Sequence, residues 1–366
     1  MVRLFIITIL VCCTVITTAQ KNHQPQKLAV IAYYAGRTTM VDSFAVEQLT
    51  HIIFSFCHLN GNKMVVSNGR DSATIQKMVA LRQRNPQLKV ILSLGGWGGC
   101  RDCSPVFATK AGRKEFAISV KALNKYFGTD GIDLDWEYPA IAGYPGHAYS
   151  AADRPAFTAL VKQLRKKLGR KHEISFAAGG FNTFIDSSIE WKKVMRYTDR
   201  VNLMSYDLVH GASSVSGHHT PLYSTKQQIE STDNGVQRMI AAGVSPAKIV
   251  IGAAFYGRLF EVTDTLNNGL YRPAHFYHGV SNRSFSDTIN TANGFTLYWD
   301  SIAQAPYAFN AQRKLLFTYD DSTSVTLKTR YALQKQLNGI MFWQLVDDKF
   351  DNGLLHAIYE ATKMGF

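Results

Sequence analysis

Asp130-Gly131-Ile132-Asp133-Leu134-Asp135-Trp136-Glu137-Tyr138-Pro139 sets acids at 133, 135 and 137 between apolar Ile132, Leu134 and Trp136. Alternate side chains of a β-strand share one face, so the run reads as a strand with its acids on one side and its apolar residues on the other. Neighbouring carboxylates on that face stand about 6.5 Å apart, two strand rises. Like charges at that spacing cannot all ionise freely, so at least one carboxyl is expected to keep its proton to a raised pKa. A carboxyl still protonated near neutrality can serve as a general acid. A solvent-facing edge strand would show the same alternation. It would, however, stack like charges without relief and leave Ile132, Leu134 and Trp136 in need of a second burial surface.

Seven further apolar, β-branched runs flank this one: Leu28–Tyr34, His51–His58, Val90–Leu94, Ile174–Ala178, Val201–Tyr206, Ile249–Phe255 and Gly339–Leu345. Between most of them the apolar period changes from two to 3.6. Helices are expected over Ala73–Arg84, Lys114–Phe127, Arg154–Leu168, Ile229–Ala242, Thr326–Leu337 and Leu354–Thr362. Strand followed by helix, repeated eight times, predicts parallel strands joined by helical crossovers and closed as a (β/α)8 TIM barrel. An open doubly wound sheet is the competing architecture, but no Gly-x-Gly-x-x-Gly opens a helix after the first strand. The alternation breaks after Phe255-Tyr256-Gly257-Arg258. Residues 259–317 read as a small α+β insertion between the seventh and eighth strands, leaving 27–258 and 318–366 for the barrel. A structureless loop of that length is uncommon in a compact domain.

The composition is globular, 46% hydrophobic and 18% charged over 366 residues, with no low-complexity tract. Residues 1–19 read as a secretory signal: Arg3, the apolar stretch Leu4–Ile16, then Thr17-Thr18-Ala19 as a cleavage site. The protein is therefore expected to be secreted or periplasmic. Lipid anchoring through Cys12 or Cys13 is an alternative, disfavoured by the bulky Val11. No later segment is long and apolar enough to cross a membrane. The net charge of +13 is dispersed, and its densest cluster (Arg165-Lys166-Lys167 with Arg170-Lys171) closes a helix. Cations suit that helix end for dipole reasons, so no nucleic-acid partner is expected. Cys100 and Cys103 could pair in an exported protein, leaving Cys57 as a buried thiol. Without a second cysteine pair no metal site is expected, and nothing calls for a cofactor or an obligate partner, so a monomer is expected.

Barrel enzymes of this type work at the C-terminal ends of their strands, where Tyr33, Trp97, Glu137, Tyr206, Tyr256 and Trp343 all fall. Any one of these aromatics could belong to the core. Together on one rim they suit a sugar cleft, because aromatic faces cover pyranose rings while carboxylates bind hydroxyls.

The run at 130–137 resembles the signature of glycoside hydrolase family 18, the chitinases and their relatives. Ser93-Leu94-Gly95-Gly96-Trp97, Met204-Ser205-Tyr206-Asp207 and Gly339-Ile340-Met341-Phe342-Trp343 resemble its third-, sixth- and eighth-strand motifs. Tyr319-Asp320-Asp321 with Ser324 and Lys328 is similar to the exit from the insertion domain of its deep-cleft subgroup. The resemblance implies a retaining, substrate-assisted hydrolysis of chitin or chitooligosaccharides. In that scheme Glu137 protonates the glycosidic oxygen and the substrate's own acetamido oxygen attacks the anomeric carbon. Asp135 holds the acetamido N–H, Asp133 shares its proton, and Tyr206 donates to the acetamido oxygen. Trp343 floors the cleavage subsite and Trp97 stacks on the leaving-group side, with Met204 and Tyr256 also lining the cleft. Tyr33 and Ser93 support Asp133, and Asp130 opens the signature. Asp207 and Arg258 are expected to bind hydroxyls, with a structural ion pair at the rim as the alternative for Arg258.

The resemblance also implies cis peptides at Ser55–Phe56, Glu137–Tyr138 and Trp343–Gln344. The sixth-strand motif continues as Leu208-Val209-His210 without the tryptophan many members carry, which argues against an extended aromatic track. No appended carbohydrate-binding module is visible. Two relatives of different action stay open: an endo-β-N-acetylglucosaminidase for N-glycan cores, and a non-catalytic lectin, which would typically lack the acid or its supporting Asp.

Overall fold

A computed structural model describes residues 28–363. The leader segment expected at 1–19, with Cys12 and Cys13, lies outside the described residues. Strands β1 (Ala29–Tyr34), β2 (His51–Asn60), β3 (Lys63–Val65), β4 (Lys89–Gly95), β5 (Gly131–Asp135), β6 (Glu173–Gly179), β7 (Val201–Met204) and β8 (Ile249–Ala254) come first in the chain. They are followed by β9 (Tyr256–Val262), β10 (Ala274–Ser281), β11 (Thr296–Asp300), β12 (Ala305–Asn310), β13 (Leu315–Thr318) and β14 (Gly339–Trp343). One sheet runs in the order β1-β14-β8-β7-β6-β5-β4-β2, and β1 also pairs with β2, so the sheet closes on itself. Every pairing in that ring is parallel. This is the expected (β/α)8 barrel, with the short β3 folding back on β2.

Helices α1 (Gly69–Ala80), α2 (Cys103–Ala108), α3 (Lys110–Phe127), α4 (Asp153–Leu168), α5 (Asn182–Ser187), α6 (Trp191–Val194), α7 (Thr232–Ala241), α8 (Phe285–Thr288), α9 (Ser322–Gln334) and α10 (Leu354–Lys363) complete the chain. Between β1 and β2 only two single-turn 3-10 segments occur, so the first crossover carries no α-helix. Several helices begin at a polar cap: Asn68 accepts from Asp71 N, Thr109 from Gly112 N, and Asp321 forms a capping box with Ser324.

Two apolar layers hold the ring. The larger lies between the strands and the helices and takes Ile132, Leu134 and Trp136 of the acidic run. The smaller fills the barrel interior with Ile31, Tyr33, Ile53, Ile91, Val250 and Met341. The period of two on β5 therefore sends its apolar residues outward and Asp133 and Asp135 inward. From β8 the chain passes through Phe255 directly into β9, which belongs to a second, antiparallel sheet of order β10-β9-β13-β12-β11. That sheet has its own apolar clusters, one built on Leu259, Phe295 and Phe317 and the other on Tyr307, Phe309 and Leu316. Peptide bonds 55–56, 137–138 and 343–344 are cis.

Candidate active site

Parallel register puts Ser93 of β4 and Ser175 of β6 on either side of Asp133. Ser175 Oγ donates to Asp133 Oδ1 at 2.6 Å and Ser93 Oγ donates to Oδ2 at 2.9 Å. Asn202 Nδ2 donates to Oδ1 at 3.1 Å, and the Tyr33 hydroxyl donates to Oδ2 at 3.1 Å. A carboxylate offers about four acceptor positions. Four donors fill them, which leaves Asp133 no oxygen free for a proton. Tyr33 and Ser93 were legible in the sequence. Ser175 and Asn202 were not singled out, although each is a lone polar residue in the inward phase of an apolar strand.

Asp135 is treated differently. It is buried, and among the described residues its Oδ1 has no hydrogen-bond partner. Beside it, Gly95 has φ +110°, and an added Cβ would lie 2.1 Å from the Asp135 carbonyl oxygen, so only glycine lets β4 pass so close. Burial raises the Asp135 pKa far above the ordinary carboxylate range, and the Glu137 and Asp133 charges add to the effect. Burial also raises Asp133, against the opposing pull of its four donors. Glu137 sits half-buried at the rim. Burial lifts its carboxyl from 4.5 to about 7, with Tyr138 opposing and the Asp207 charge reinforcing. Repulsion alone was the expected cause of a retained proton; loss of solvent is the larger one. The proton of the buried pair belongs on Asp135, since Asp133 is saturated with donors.

Aromatic walls surround these acids. Trp343 stacks on Phe56 with ring centroids 5.6 Å apart and stands 6.0 Å from Tyr33. Tyr206 is buried, and its hydroxyl donates to the Met341 sulfur at 3.8 Å, a weak acceptor. Tyr256 meets Tyr206 edge to face at 6.2 Å, and Met204 packs against the interior cluster that contains Tyr206. Trp97 is 59% exposed and packs edgewise on Tyr144 at 5.6 Å. A cavity of about 430 Å³ opens beside it, lined by Phe56, His58, Trp97, Arg101 and Asp102 among others. The Cys100–Cys103 disulfide, with Cα atoms 5.1 Å apart, closes the loop that carries Arg101 and Asp102. Cys57 stays a buried free thiol, pushed up to about 12 by burial.

Asp207 and Arg258 meet as a bidentate pair: Nη2 donates to Oδ2 at 2.6 Å, and Nε donates to Oδ1. Burial would raise Asp207, but His219 and the Arg258 guanidinium outweigh it and hold the carboxyl well below its usual range. Arg258 is thus ion-paired with Asp207. Asp130 does not join the site. It precedes β5 at the opposite end of the barrel, where it accepts from Val90 N at 2.7 Å and pairs with Arg82. Two residues separate it from Asp133 and four from Asp135, and its bonds to Val90 and Arg82 fix the start of the strand. Among the described residues no group of three or more potential ligands could hold a metal ion.

A closed barrel with two inward acids on one stave, a third just past its end and tyrosine and tryptophan nearby, suits a carbohydrate-cleaving barrel. The chain belongs to the glycosyl hydrolases family 18, whose family model matches residues 29–348. It is 34% identical to chitinase A1 of Niallia circulans over 303 residues, covering 76% of this chain and 43% of that protein. Against chitinase B of Serratia marcescens it is 26% identical over 424 aligned positions, covering 90% of this chain and 83% of that one. The chain thus spans less than half of the first relative and most of the second. A solved structure described as a family 18 N-acetylglucosaminidase from Paenibacillus barengoltzii superposes with a TM-score of 0.84 at 33% identity, covering 91% of this chain and 99% of that chain.

Proposed function

We propose that this chain is an exported chitinase that cleaves β-1,4-linked N-acetylglucosamine polymers with retention, using the substrate's acetamido group as nucleophile. One observation carries the reading: on β5 a donor-saturated Asp133 lies below a buried Asp135 with an unpartnered oxygen, and just past the strand stands a Glu137 raised to about 7. Glu137 gives its proton to the glycosidic oxygen as the bond from the anomeric carbon to that oxygen breaks. The acetamido oxygen forms the new bond to the anomeric carbon, giving an oxazolinium ion. Asp135 Oδ1 accepts from the acetamido N–H, and the Tyr206 hydroxyl donates to the acetamido oxygen. Holding an internal nucleophile in line gives it a very high effective concentration. Water then attacks the anomeric carbon as its bond to the acetamido oxygen breaks, which restores the acetamido group, and Glu137 takes the water's proton. Trp343 floors the distorted sugar, Trp97 covers the leaving side, and Asp207 with Arg258 binds hydroxyls.

In this reading residues 1–19 direct export, 259–317 form a wall of the cleft, and the enzyme acts as a monomer. Hydrolysis of a fluorogenic chitotriose beside Glu137→Gln tests it, with the product anomer read by NMR. An inactive wild type, or equal rates in both proteins, removes the proposal. A second reading, release of single N-acetylglucosamine units, is favoured by the near full-length likeness to an N-acetylglucosaminidase structure. Product lengths from a chitin pentamer separate the two: monomer alone supports the second, dimer and longer products the first. The N-glycan-core and lectin readings gain no comparable support.

A further inference from the structure

His219 is a buried titratable side chain that the mechanism above does not use. Its Nδ1 lies 3.5 Å from Asp207 Oδ1, longer than a good hydrogen bond, and among the described residues neither ring nitrogen has a hydrogen-bond partner. Its backbone is fixed on both sides: His219 N donates to Thr318 Oγ1 at 3.0 Å, and its carbonyl accepts from Leu208 N at 3.0 Å. The ring packs 5.3 Å from that of Tyr256. The charged groups around it are Asp207 on the turn after β7, Arg258 on β9, and Asp320 before α9, itself paired with Lys328. Burial lowers the imidazole's pKa and Arg258 lowers it further, while Asp207 and Asp320 pull the other way; the net direction is down. The ring is therefore neutral at working pH. A carboxylate can only accept, so the nitrogen facing Asp207 carries the hydrogen.

We infer that His219 is a positioning residue: its Nδ1–H holds the Asp207 carboxylate from behind while Arg258 and the bound sugar compete for its outer face. The inference rests on the chitinase reading and extends it. Asp207 needs such a hold. Its backbone is left-handed, with φ +55°, and its side chain is one-third exposed to the cleft. Its other holder, Arg258, is shared with the faces of Tyr256 and Phe276, each 5.4 Å away. A contact of 3.5 Å can tighten when substrate binds, as catalytic hydrogen bonds commonly do. The consequence reaches Glu137, because the Asp207 charge helps keep that carboxyl protonated. An Asp207 free to swing away would let Glu137 ionise at lower pH.

The test compares three substitutions by kcat/KM on fluorogenic chitotriose from pH 4 to 9, with Tm recorded for each. His219→Asn keeps an amide donor where Nδ1 was. His219→Gln moves the donor to the position of Nε2, and His219→Leu removes it. The Asn variant is expected within about twofold of wild type at every pH. The Gln and Leu variants should lose about tenfold above pH 7 and recover below pH 5, the signature of a basic limb moved acidward by about one pH unit. If Leu does not fold, the two polar variants still decide. Wild-type profiles in Gln and Leu overturn the inference, as does an equal loss in Asn and Gln. An inactive wild type instead overturns the chitinase reading, and this inference with it.

Discussion

Glu137→Gln should make the protein more stable above neutral pH and leave it unchanged in acid. A carboxyl raised from 4.5 to about 7 binds its proton more tightly in the folded state than in the unfolded one. Its contribution is fully present below pH 4.5 and is lost as pH rises through 7. At about 1.4 kcal/mol per pH unit, the wild type gives up about 3 kcal/mol between those limits, somewhat less because the group sits at a partly wet rim. Glutamine never ionises, so the variant keeps that increment. A chain of this length unfolds with an entropy of about 0.7 kcal/mol/K, so the difference becomes about 4 °C in Tm. Scanning calorimetry of both proteins at pH 4.5, 6, 7 and 8.5 reads it directly. The expected curve is a Tm gap near zero at pH 4.5 that opens through pH 6–7 and stays level above pH 8. A gap independent of pH would mean that Glu137 titrates as an ordinary surface acid. The assignment of a proton to it at neutrality would then be wrong, and with it the general-acid role.

Ser175→Ala removes one of four donors to a buried carboxylate, which should cost about 1.5–3 kcal/mol and about 2–4 °C in Tm. The cost should shrink in an Asp133→Asn background, and strictly additive Tm losses would refute the contact. Asp130→Asn should lower Tm by loosening Arg82 and Val90 while kcat/KM on chitotriose stays within about twofold. A parallel loss of activity would return Asp130 to the site. Lys328 donates to both Asp320 oxygens at 2.8 and 2.7 Å and to Thr220 O at 2.8 Å, fully buried. Lys328→Met should therefore destabilise by about 3–5 kcal/mol in denaturant melts, and adding Asp320→Asn should restore part of it. A melt unchanged by Lys328→Met would refute the pairing.

The fold was legible because strand and helix periods alternate cleanly, and because β5 alternates in both polarity and charge. Helix starts were less legible. The sequence pattern places the last crossover helix from Thr326, yet α9 begins at Ser322. Its first turn is polar and announced only by the Asp321 cap. α7 likewise begins at Thr232 behind the cap Ser231, past the apolar Ile229, which is exposed. The acids and aromatics of the site could be read one by one because they sit in local motifs. Ser175 and Asn202 could not, since a single polar residue in a buried strand acquires meaning only from its neighbour across the sheet, and register is a tertiary fact. His219 was less accessible still. It lies between β7 and α7 in a long irregular segment, where no period points a side chain at anything.

Register also explains why one stave can carry three acids without the barrel failing. At the level of Asp133 the flanking strands offer Ser93 and Ser175, and Tyr33 and Asn202 close the ring of donors. Two residues further along β5, the β4 position is Gly95, and the next β6 residue in that phase is Ala177, neither with a side-chain donor. At Glu137 the strand has ended and solvent begins. Donors thus run out along the strand while burial persists, so proton affinity climbs from the satisfied acid to the unsatisfied one. A serine at 177 would give Asp135 a partner, stabilise its ionised form and make the barrel more secure, whereas at 95 any Cβ would meet the Asp135 carbonyl oxygen. Such a serine would also occupy the acceptor that the proposed mechanism reserves for an acetamido N–H. The unpartnered Oδ1 of Asp135 is therefore the feature on which the proposed mechanism depends, and the four donors beneath it confine that feature to a single carboxyl.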